Sequence, residues 1–261
     1  MRKTSLILIG CIATAMPMSA KSQTTHDRQD GPTIIVDQAT PAIFPESWHT
    51  SKINANAELV DDAELQRSRD IVARALAKYP AKVLSANLKA VYVLGRLEYS
   101  GVATGGTNSR NAVYVVNKPQ YSSEVIEKIL HAEFSSILLR NFPQHLDEEK
   151  WRQINPPDFR YRGSGVQAVR EKQASNRFET PLHEEEFLNK YSQASIEEDF
   201  NSYAGRLLMG DKDLWDAIER YPKLKAKAEL TIKFYGKLDS GFTKEFFLAL
   251  RTTKSPANDA R

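Results

Sequence analysis

The chain has 261 residues, 41% hydrophobic and 26% charged, which suits one sizeable globular domain and excludes both a disordered chain and a polytopic membrane protein. The formal charge is +3, and Arg2 and Lys3 supply two of those charges, so 3 − 2 leaves +1 for the remainder and no basic footprint for nucleic acid. Cys11 is the only cysteine, which excludes an internal disulfide.

In chain order, Arg2-Lys3, an apolar run from Leu6 to Met18 and the small residues Ser19 and Ala20 read as a secretory signal over residues 1–20. The run is too short for a stable transmembrane helix. Leu8 to Cys11 also has the form of a lipoprotein box, so anchoring through Cys11 is the alternative. Apolar residues continuing past Cys11 favour soluble export to the periplasm or beyond. Residues 21–55 are polar with Pro32, Pro41 and Pro45, and read as a flexible arm carrying one strand, "TIIVD".

A single domain is expected over residues 56–251, with a disordered tail over 252–261. "DDAELQRSRDIVARALAKYP" has acidic residues at its start, apolar residues at helical spacing and a terminal proline, and predicts a helix. After a short helical turn, "LKAVYVLGRLEYSG" and "NAVYVVN" read as strands, paired as a hairpin across the mobile glycine-rich loop Gly101–Arg110. That loop opens into a strand rather than a helix, so it is not a phosphate cradle. A helix follows over residues 122–141, then an irregular segment and four C-terminal helices. The fold class expected is α+β: a small antiparallel or mixed sheet followed by a mostly helical part.

The helix "VIEKILHAEFSSILLRN", the segment "EEEFLNKYSQASIEEDFNSYAGRLL" and "DLWDAIERYPKLKAKAELTIKFYGKLD" carry a resemblance. The chain resembles the zinc-binding metallopeptidases of exported bacterial proteins, minimal gluzincins related in architecture to thermolysin. The resemblance implies Glu133 as general base, Glu198 as third metal ligand, and zinc-binding histidines at positions 132 and 136. Those positions hold Ala132 and Ser136, so the His-Glu-x-x-His motif is broken. His131 stands one place early, a quarter turn off the 132/136 face, and its i+4 partner is Ser135, a poor zinc ligand. It reads as a flank residue, with metal ligation as the alternative.

Glu198 and Asp199 also suit the first turn of a helix, where acids oppose the dipole. His183 in "HEEEF" reads as part of a solvated charge run, and His145 as a surface residue. Leu230, Phe234, Tyr235 and Leu238 read as core. The function expected is a peptidase-like protein that is non-catalytic or impaired, binds peptide or protein in the old cleft, and carries no cofactor. One alternative is an active metal-dependent hydrolase using zinc with His131, Glu133 and Glu198. Another is a structural envelope protein.

Overall fold

The computed structural model describes residues 31–251; the expected signal, the Cys11 box and the 252–261 tail lie outside them. The fold is α+β, with a mixed six-stranded sheet. Strand β1 spans Thr33–Ile35, β2 Asn56–Leu59, β3 Ala90–Tyr99, β4 Val102–Ala103, β5 Gly106–Asn108 and β6 Ala112–Val116. The long β3 is the organising strand. One of its edges pairs with β1 in parallel and, further along, with β2 antiparallel. Its other edge pairs with β6 in parallel and with β4 antiparallel, and β5 closes that side as an antiparallel partner of β6.

This corrects the expected hairpin. Strands β3 and β6 run in the same direction, with Ala90 opposite Ala112 and Leu94 opposite Val116. Ser100 and Gly101 both take positive φ, 53° and 74°, and fold the chain tightly back on the end of β3. The glycine-rich segment then returns as β4 and β5, so the chain reaches the starting end of β3 before β6 begins. The stretch read as an open loop is therefore a return path, largely in strand pairing.

Ten α-helices follow or interleave: α1 Leu65–Leu76, α2 Ala81–Asn87, α3 Ser123–Asn141, α4 Glu148–Ile154, α5 Gly165–Arg170, α6 Thr180–His183, α7 Ile196–Leu208, α8 Lys212–Arg220, α9 Pro222–Leu238 and α10 Lys244–Ala249, counted among the described residues. None of them is long and apolar enough to cross a membrane. Helix α3 starts where Ser122 accepts a hydrogen bond from the Val125 amide, and α7 where Ser195 does the same for Glu198.

Alternation along β3 sends Val91 and Val93 to one face and Ala90 and Leu94 to the other. The first face packs on α1 and α3 in the main core, which includes Phe134, Phe200, Phe234 and Tyr235. Leu230 and Leu238 pack against it half-buried. The second face is covered by residues from the segment expected as a flexible arm. Ile43, Phe44 and Trp48 are buried there, and the Tyr114 hydroxyl donates to the Ile43 carbonyl at 2.7 Å. Covering on both faces explains why all five residues of β6 are buried and apolar.

Candidate functional site

The site lies where α3, α7 and β5 meet. Helices α3 and α7 cross closely at Gly205: a Cβ there would stand 3.1 Å from the Lys128 carbonyl oxygen and 3.8 Å from the Ala132 Cβ. Glu198 and Asn201 precede Gly205 by about two turns and one turn respectively, so they share the α7 face turned toward α3. On α3 the residues facing them are Lys128, Ala132, Glu133 and Ser136. A two-lobed cleft results, with volumes of about 340 and 620 Å³. Both lobes are lined by Thr104, Glu133, Val169, Tyr191, Glu198 and Asn201, which form the waist between them.

Two carboxyl groups face this waist. Asn108 of β5 donates to Glu133 Oε2 at 2.6 Å, and Arg140 in turn holds Asn108 and the Ser109 carbonyl. The Tyr191 hydroxyl donates to Glu198 Oε1 at 2.9 Å. Gly165 presses against this second pair, and a Cβ at that position would collide with both Glu198 and Tyr191. Burial pushes the Glu133 carboxyl up to about 7, against the pull of the Asn108 hydrogen bond. Burial, reinforced by the charge of Glu133, pushes Glu198 up to about 8. The same surroundings, burial first and then Glu198 and Glu133, raise the Tyr191 phenol. At neutral pH the waist therefore retains protons that solvated carboxyls would have released.

Ser136 is committed elsewhere. The Asn201 side-chain amide donates to its hydroxyl at 2.7 Å, while the Ser135 hydroxyl lies within hydrogen-bond reach of both the Asn201 side-chain oxygen and, at 2.7 Å, the Ala132 carbonyl. This serine–asparagine network ties α3 to α7 beside the waist.

The structure brings Glu133, Glu198, Ala132 and Ser136 together and leaves His131 out. Two residues along a helix rotate a side chain by about 200°, so His131 points away from the face of Glu133. His131 is fully buried in the core, its Nδ1 2.8 Å from the Tyr79 hydroxyl and its Nε2 3.6 Å from Glu127. Burial pushes its pKa down to about 4, so it is neutral at physiological pH. It is not available as a ligand beside Glu133 and Glu198. His183, expected in solvent, is also buried, against Phe178 at 4.3 Å between ring centroids. His145 is half-buried at the surface, stacked on Phe142.

Tyr191, Asn108, Asn201 and Lys128 complete the site beyond the residues that the sequence singles out. Tyr191 and Asn108 sit in an irregular segment and a three-residue strand, where no periodicity marks a facing direction. Asn201 and Lys128 were legible in principle, because each shares a helix face with an acid already singled out.

No protein-family model matches the chain, no curated protein matches it in sequence, and no solved structure matches it.

Proposed function

We propose that this is an exported, non-catalytic peptidase-like protein that binds peptide in the cleft between β5 and helices α3 and α7, on a minimal gluzincin-like scaffold without a zinc site. The observation that carries the reading is the chemistry at positions 132 and 136. The helix presents Glu133 toward Glu198, as the resemblance implies, but a methyl group and an engaged hydroxyl stand where two imidazoles are needed. Alanine offers a metal nothing, and a neutral serine hydroxyl is a weak ligand for a borderline-soft cation. Two carboxyls with raised pKa values do not replace neutral imidazoles as a zinc site, so the residues present do not fit the metal.

Binding rather than a purely structural role is supported by two features. Strand β5 is the outermost strand on its side of the sheet and lies along the cleft through Gly106, Thr107 and Asn108, so an elongated, partly polar wall is open to an extended peptide. The desolvated carboxyl pair is costly for a scaffold kept only for stability.

The test combines metal analysis with peptide assays on wild-type protein purified without metal supplements. The expected result is no stoichiometric zinc, saturable binding of unstructured peptides, and no cleavage with or without added zinc. Cleavage that survives active-fraction purification and disappears in Glu133→Gln would overturn the non-catalytic reading. Absence of peptide binding would overturn the binding reading.

A further inference from the structure

Four cations line the two lobes of the cleft among the described residues: Lys128 and Arg206 in the smaller lobe, Arg140 and Arg152 in the larger. Three of them have anionic partners. Arg140 lies 3.4 Å from Glu197 and Arg152 lies 3.5 Å from Glu148. Arg206 is buried, bonded to Asp211 at 2.5 Å and stacked at 4.3 Å over the Phe178 ring.

Lys128 is different. It is only partly exposed, yet its ammonium makes no hydrogen bond or ion pair among the described residues. The carboxylate closest in electrostatic influence is Asp211, which is already taken by Arg206 and by the first amides of α8. The side-chain stem is fixed where α3 crosses α7, with Cγ 3.3 Å from the position a Cβ would take on Gly205. A partly buried ammonium in a cavity wall, with no counter-ion among the described residues, gains from an anion that enters the lobe.

We propose that Lys128 makes the smaller lobe a carboxylate subsite, so that the cleft selects peptides presenting a carboxylate there, from a free C-terminus or from an acidic side chain. This inference rests on the peptide-binding reading above. Asn176 and Asn189 line the same lobe and bring side-chain amides near the anion, while Ile129 and Ala132 supply an apolar wall. A charge-assisted hydrogen bond in such a setting is roughly twice as strong as a neutral one.

The experiment uses three alanine-rich pentapeptides with acetylated N-termini, titrated calorimetrically into the full chain. One ends in a free carboxylate, one is amidated and neutral, and one is amidated with a central glutamate. The expected result on wild type is at least about tenfold tighter binding of one or both carboxylate peptides over the neutral one. Which of them is preferred identifies the source of the anion. Lys128→Met should remove that preference, and Lys128→Arg should restore it. Equal binding of all three peptides to wild type, or a preference that survives Lys128→Met, would overturn the carboxylate subsite alone. If none of the three binds wild type, the peptide-binding reading fails and the subsite fails with it.

Discussion

At the scale of single residues, Glu133 and Glu198 set a distinctive pH dependence. Their folded pKa values, about 7 and about 8, lie above the ordinary value of 4.5. Between that value and about 8 the folded state holds protons that the unfolded chain has released. Stability therefore falls as pH rises through this window, is fully retained below it, and levels off above it. Glu133→Gln and Glu198→Gln remove the ionisation while keeping an oxygen to accept from Asn108 or Tyr191. Each should stabilise the protein by about 1–3 kcal/mol at pH 8.5 and change little at pH 4.5. Urea unfolding at the two pH values measures this, and a wild-type stability that does not fall between them would contradict it. Stabilisation by removing a cleft residue is the pattern expected of groups kept for binding rather than folding.

At the scale of elements, α7 serves two structures at once. Glu198 faces the cleft, whereas the next residue, Asp199, turns into the core and ties α7 to α9 and α4. Lys227 of α9 donates to Asp199 Oδ2 at 2.7 Å and to the Glu186 carbonyl at 2.8 Å, with both members of the ion pair fully buried. Trp151 and Tyr161 donate to the same carboxylate oxygen at 2.9 and 2.8 Å. The Lys227 ammonium also lies 4.3 Å from the centroid of Phe187. Lys227→Met would leave Asp199 buried without its counter-ion and should cost about 3–5 kcal/mol. Adding Asp199→Asn should recover part of that loss, since it removes the stranded charge. Denaturant melts of the single and double variants check this, and a single variant within about 0.5 kcal/mol of wild type would show the pair to be dispensable. Because α7 carries Glu198, weakening this anchor should also loosen the cleft.

At the scale of the whole molecule, the sheet depends on residues 41–55 for its second face. Trp48 packs with Phe44, Tyr99 and Tyr114 at ring-centroid distances of 5.9, 4.7 and 5.5 Å. Trp48→Ala should lower stability by about 3–5 kcal/mol, a loss readable as a reduced thermal midpoint. An unchanged midpoint would mean the segment is only loosely attached. The global arrangement of α3 and α7 has its own test. In Ala132→His with Ser136→His, and Asn201→Ala to give the new rings room, a gluzincin-like geometry should generate tight zinc binding with Glu198 as third ligand. Further replacement by Glu198→Ala should weaken it. A folded variant that binds no zinc would show that these two helices do not carry that geometry.

Several features of this protein were written locally. The Ser122 cap, the run to Asn141 and the apolar spacing of α9 identify those helices, because capping and a 3.6-residue period are settled within a few turns. Glu133 stood out as a carboxyl among apolar neighbours for the same local reason. Strand direction was not local: "LKAVYVLGRLEYSG" and "NAVYVVN" suit parallel and antiparallel pairing equally, and a tight turn at Ser100-Gly101 decided between them. The fate of the charged residues was also decided in three dimensions. His131 became a core residue because Tyr79 and Glu127 occupy its side of α3, and Asp199 became buried because Lys227 arrives from a helix 28 positions away. Periodicity states which residues share a face of a helix. Only packing decides what that face meets, and burial against that neighbour sets whether an acid, a lysine or a histidine keeps its charge.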